Sequence, residues 1–133
     1  MTVLLNMPFV NENYRSECPL ATALDVVGDK WSLLLIRDMC MGKKRYGDFS
    51  ASPERIPTNI LANRLRRLEA TGLINKMPYQ KNPLRYDYSL TEKGANLLPV
   101  LQQLAIWSAK FVPGCVPPPD WFLHVKPENL IQQ

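Results

Sequence analysis

The residues from Ile56 to Ile74, IPTNILANRLRRLEATGLI, carry the most specific chemistry in the chain. Turned by about 100° per residue, as a helix requires, Leu61, Leu65 and Leu68 line up as a narrow apolar stripe. Asn59, Asn63, Arg66 and Ala70 fall on the opposite side, with Arg67 beside them. That outer face holds no acid. Amides and guanidinium groups in this arrangement can read base edges and hold phosphates in a DNA major groove. A surface helix that only meets water has a polar face too, so the surroundings must decide between the two readings.

The flanking elements favour the groove. Pro57 lies near the first turn of this helix, where Thr58 can offer a hydroxyl to free amides, and Gly72 stops it. Upstream, Cys18-Pro19 opens a helix that ends near Gly28. Asp29 is placed to cap a second helix, Lys30 to Met41, rich in Leu and closed by Gly42, with Trp31 as a core residue. Lys43-Lys44-Arg45 precedes a short helix from Tyr46 to Ser52, which Pro53 breaks. Downstream, Ile74 to Tyr79 and Arg85 to Leu90 are strand-like around a basic turn, Gln80 to Pro83. Thr91 then caps a last helix running to about Phe111, bent at Pro99 and apolar over much of its surface. The fold class is mainly α with a small β-hairpin. Two short helices joined by a turn, then a basic hairpin, make a winged helix-turn-helix. The apolar area of the last helix calls for a second surface, and a dimer supplies it.

Residues 1–17 read as an N-terminal arm, 18–112 as the domain, and 113–133 as a Pro-rich tail with Pro117 to Pro119 extended. Trp121-Phe122-Leu123 is placed to tuck onto the body or across to a partner subunit.

Charge agrees with a polyanionic partner. The 133 residues carry a net +4. Between Lys43 and Leu90 ten Lys and Arg face four acids, so this stretch holds +6 and the rest of the chain −2. Such focusing attracts DNA. A membrane surface is disfavoured because the basic residues are spread over helix, turn and hairpin. No run approaches the ~18 apolar residues of a membrane span, and the start does not look like a signal peptide, so a cytoplasmic protein is expected. The three cysteines, Cys18, Cys40 and Cys115, lack CxxC spacing, and with one histidine, His124, neither a metal site nor a disulfide framework is expected. No base lies beside a nucleophile and no glycine-rich phosphate loop occurs, so neither catalytic residues nor a cofactor is expected.

With these residues in order, the chain resembles the HxlR family of bacterial winged helix-turn-helix regulators. The marks are Cys18-Pro19, Gly28-Asp29-Lys30-Trp31 with the following Leu run, and Gly42 to Tyr46. Ile56 with Leu61, Arg64-Leu65, Leu68-Glu69 and Gly72-Leu73-Ile74 follow. Tyr86, Tyr88-Ser89-Leu90-Thr91, Gly94 and Trp107 complete the set, which covers about Cys18 to Val112. The resemblance implies a homodimer held by the terminal helices, each subunit presenting a recognition helix and a wing to a palindromic operator in double-stranded DNA. The N-terminal arm and the Pro-rich tail depart from the family pattern.

Roles can be divided residue by residue. Thr58, Asn59, Asn63 and Arg66 face the major groove. Arg67, Lys43, Lys44 and Arg45 touch phosphates, as do Lys81 and Arg85 in the wing. Arg64 lies nearer the buried stripe and is either an internal salt-bridge partner of Glu69 or Asp48, or a DNA contact. Cys18, at a helix N-terminus whose dipole favours thiolate, matches the cysteine of HxlR-type regulators that sense electrophiles or oxidants. Glu17 beside it works against a low pKa, and the alternative is a small residue packed at a helix start. Cys40 reads as a buried hydrophobe. Cys115 could resolve an oxidised Cys18 only if the tail folds back. A small-molecule effector in an aromatic pocket near Trp31, Trp107 or Trp121 is the other form of switch.

Overall fold

The computed structural model describes residues 14–131. Most of the expected N-terminal arm, residues 1–13, lies outside the described residues. Helix α1 spans Pro19–Val27 and α2 spans Ser32–Cys40. Asp29 begins α2 as expected: its Oδ2 accepts from the backbone N–H groups of Trp31 and Ser32, and its Oδ1 from the Ser32 hydroxyl at 2.6 Å. Trp31 is only half-buried and packs against the edge of the core, with the Lys30 ammonium over its ring.

Helix α3 (Tyr46–Ser50) and helix α4 (Thr58–Ala70) form the helix-turn-helix. Leu61, Leu65 and Leu68 of α4 are all buried, joined by Ile36 and Phe49 from α2 and α3. Each fully buried Leu contributes about 2 kcal/mol, enough to hold a helix whose other face is mostly polar. Gly72 ends α4 with φ +79, a conformation that suits glycine.

The wing is a two-stranded antiparallel hairpin, β1 (Ile74–Lys81) and β2 (Leu84–Leu90). The strands are longer than the sequence suggests. Gln80 pairs with Arg85 and Lys81 with Leu84, so only Asn82 and Pro83 are left to turn the chain. The register slips between Pro78 and Gln80, which leaves Tyr79 as the extra residue of a bulge. Only Ile74 and Leu90, at the base of the hairpin, are buried among these strand residues.

The single last helix expected from Thr91 to about Phe111 is in fact two, α5 (Glu92–Ala95) and α6 (Leu98–Phe111). Pro99 falls in the first turn of α6, where its missing N–H costs nothing. Continuing α5 through it would set its ring against the Ala95 carbonyl. Thr91 caps α5 by accepting from the Gly94 N–H, while its hydroxyl donates to the Gly72 carbonyl at 2.6 Å. Gly94 has to be glycine, since a Cβ there would lie 2.0 Å from the Leu73 carbonyl oxygen.

The tail folds. After the irregular stretch that includes Pro117 to Pro119, helix α7 (Asp120–His124) returns to the body and buries Phe122. The Gln102 amide of α6 donates to the carbonyls of Phe122 and Val125, both at 2.8 Å, tying the tail down. Among the described residues, no helix is long and apolar enough to cross a membrane.

Candidate nucleic-acid interface

Helix α4 presents Thr58, Asn59, Asn63, Arg66 and Arg67 on its exposed side. Among the described residues, Lys44, Arg55, Arg66, Arg67, Lys81 and Arg85 have no acidic partner. These cations come from the loop before α3, the turn before α4, α4 itself and the tip of the wing. A polyanion that reaches them would displace no ion pair.

Three cations from the sequence reading are committed elsewhere. Arg64 is a salt-bridge partner, but to neither expected acid. Its Nε donates to Asp29 at the start of α2, at 2.8 Å. Glu69 instead faces Lys76 at 3.6 Å, and Asp48 caps α3 by accepting from the Lys44 and Arg45 N–H groups. Lys43 was expected on phosphate. Its ammonium donates instead to the Ser52 hydroxyl at 2.9 Å and lies 3.9 Å from the buried Asp38. A cation held by a buried carboxylate keeps that pairing over a screened phosphate contact. Arg45 donates to Asp87 of the wing at 2.8 Å and lies over the Tyr79 ring, 3.7 Å from its centroid. It therefore holds the wing against the helix-turn-helix. The Tyr88 N–H, donating to the Lys44 carbonyl at 2.7 Å, does the same through the backbone.

Asn63 is more constrained than its place on the helix suggests. Its Oδ1 accepts from the Arg64 guanidinium at 2.5 Å. The amide that remains for a partner is the NH2 end, a donor that fits base acceptors such as N7, O6 or O4. Two-point pairing with adenine would require Arg64 to let go. The N-terminus of α4 carries no side-chain cap, Pro57 standing at that position, so Thr58 does not close the first turn as expected. The first N–H groups of α4 are therefore left without a side-chain partner.

The turn before α4 contains what sequence reasoning missed. Arg37 of α2 grips Glu54 through two hydrogen bonds of 2.8 Å and also donates to Asp38, which is 2% exposed. Asp38 accepts in turn from Ser52 at 2.6 Å. The polar chain Glu54–Arg37–Asp38–Ser52–Lys43 fixes the path into the recognition helix. Arg55 within that turn has φ +57, in the left-handed region that side chains rarely adopt, and is exposed. Its charge entered the sequence count, but nothing local placed it beside α4.

Of the cysteines, Cys18 is exposed at the N-cap of α1. Cys40 is buried, and that burial pushes its thiol up to about 11. Cys115 is half-buried with its sulfur 3.4 Å from the Ser108 hydroxyl of α6.

The HxlR-like helix-turn-helix family matches residues 26–114. The chain is 37% identical over 94 residues to YdeP, an HTH-type transcriptional regulator of Bacillus subtilis, covering 71% of this chain and 73% of YdeP. Among solved structures, PA1607 superposes with a TM-score of 0.68 at 36% identity, covering 78% of this chain and 73% of PA1607. The redox regulator HypR in its oxidised form gives a TM-score of 0.63 at 38% identity, covering 70% of this chain and 96% of HypR.

Proposed function

This chain belongs to the HxlR-like helix-turn-helix family of transcriptional regulators, and we propose that it binds a palindromic DNA operator as a homodimer, with no catalytic step. The observation that carries this reading is the acid-free exposed face of α4, set on a buried leucine stripe and flanked by cations from three other segments. Each subunit lays α4 in a major groove, with the two half-sites centred about 34–36 Å apart. Asn59, Asn63 and Arg66 read base edges, with Thr58 at the entry of the helix. Arg67, Lys44, Lys81 and Arg85 hold phosphates, Lys43 and Arg45 brace the turn and the wing, and Arg64 orients α4.

The dimer surface is read from the exposed apolar residues of the two terminal helices. Leu20 and Leu24 on α1 and Val100, Leu104, Trp107 and Phe111 on α6 are all exposed in the single chain. Pairing these helices across a two-fold axis covers a patch that monomers rarely leave open. Anisotropy titration of the purified protein against its own upstream DNA tests the reading. Tight binding that falls steeply with salt is expected, and Trp107→Glu should produce a monomer that loses it. Equal affinity for that DNA and for random DNA would sink the operator claim.

A thiol switch at Cys18 is the second part of the reading. It rests on the exposure of Cys18 beside the α1 dimer surface and on the similarity to HypR. Two Cys18 thiols, one from each subunit, would give two electrons to an oxidant such as diamide and release two protons as their sulfurs join. A Cys18→Ser protein that still loses DNA on diamide treatment would remove this part.

A further inference from the structure

A cavity of about 410 Å³ opens between α2, α6 and the folded tail. Its walls are almost wholly apolar, and part of them comes from Pro118, Pro119, Trp121 and Phe122. Those four residues lie beyond residues 26–114, the stretch that matches the family.

We propose that this cavity is an effector site for a neutral, flat aromatic molecule, and that its occupancy is transmitted to the recognition helix. Three observations define the occupant. The volume lies within the range of about 300–1,000 Å³ typical of small-molecule sites. Among the described residues, the only charged wall residue is Arg37, and its guanidinium is already spent on Glu54 and Asp38. A charged ligand would therefore enter without a counter-charge, whereas a neutral one loses little. Two prolines and the edge-to-face pair Trp121–Phe122, with centroids 5.8 Å apart, offer the flat and edge contacts that aromatic rings prefer.

Arg37 also supplies the route. Its stem lines the cavity while its head holds Glu54 and, through Asp38, Ser52. Both residues sit in the turn that leads into α4. A ligand that shifts the Arg37 stem therefore changes the entry to the DNA-reading helix. This part rests on the DNA-binding reading above; the site itself does not.

The test uses the full chain and N-phenyl-1-naphthylamine, a neutral aromatic whose fluorescence rises in apolar surroundings. We expect saturable enhancement with one probe per chain. Ala105→Phe, which fills the cavity from α6, should abolish it while thermal unfolding stays at or above the wild-type temperature. Trp121→Ala should weaken it. Operator affinity measured by anisotropy should change about fivefold or more at saturating probe. Absence of enhancement, the result expected if side chains of a second copy fill the cavity, overturns the site. So does equal enhancement in wild type and Ala105→Phe. Enhancement with unchanged operator affinity overturns the transmission. Failure to bind DNA at all would instead defeat the regulator reading, which the fluorescence titration does not depend on.

Discussion

Arg64 on the recognition helix donates to Asp29 at the start of α2, 35 positions earlier in the chain, over 2.8 Å. The acid that begins one helix thereby sets the angle of another. Asp29 accepts from Ser32 and from the N–H groups of Trp31 and Ser32 at the same time.

This pairing makes stability depend on pH in a defined window. Burial pushes the Asp29 carboxyl up, but the Ser32 hydroxyl, the Arg64 guanidinium and two backbone N–H groups together bring it down to about 2, from 3.8. The folded state therefore holds the carboxylate more tightly than the unfolded chain does. The stabilisation is fully present above about pH 4 and is lost as pH falls towards 2. It amounts to about 2 kcal/mol. Asp29→Asn should cost about that much in urea unfolding at pH 7 and progressively less below pH 4. A constant deficit at both pH values would show that the charge does not matter.

The residues proposed to read bases and those proposed to hold phosphates should separate in binding experiments. Arg67→Ala and Lys81→Ala should weaken binding to all sequences alike and lower the salt slope by about one each. Asn63→Ala should cost about 1–3 kcal/mol at a single base pair. Because the Asn63 oxygen is held by Arg64, its loss should be felt at a base offering acceptors, and Asn63→Asp should be worse than Asn63→Ala. Unchanged discrimination in Asn63→Ala would take it out of the reading set.

The wing depends on Arg45. Its ion pair with Asp87 lies at the surface, where solvent screens it. Arg45→Ala should therefore barely change the unfolding midpoint. Freed from Asp87 and the Tyr79 ring, the hairpin from Met77 to Arg85 should exchange its amide protons faster, and DNA affinity should fall. Unaltered exchange across the hairpin would show that β1 and β2 hold their own position.

Thiol reactivity should rank by environment. N-ethylmaleimide at neutral pH should label Cys18 first and Cys115 more slowly. Cys40, buried and with its thiol raised to about 11, should stay unlabelled until the protein unfolds. Mass spectrometry after timed quenching reads the order directly. Early labelling of Cys40 would mean that α2 opens in the native state.

Sequence alone determined much of what depends on near neighbours, though not the uncapped start of α4 or the break at Pro99. The leucine stripe of α4, the Asp29 cap, the stop at Gly72 and the hairpin that follows are set by periodicity and by residues a few positions apart. For the same reason the exposed face of α4 was legible before any coordinate. The tertiary structure decided which partner each charge takes. Arg64 chose Asp29 over Glu69 or Asp48, Lys43 turned inward to Ser52 and Asp38, and Arg45 reached Asp87, 42 positions away. It also brought the tail back onto α6, closing a cavity whose walls lie far apart in sequence. The reason is physical. Helix caps and apolar periods act over one or two turns of chain, whereas a buried charge pairs with whichever opposite charge packing brings within about 4 Å.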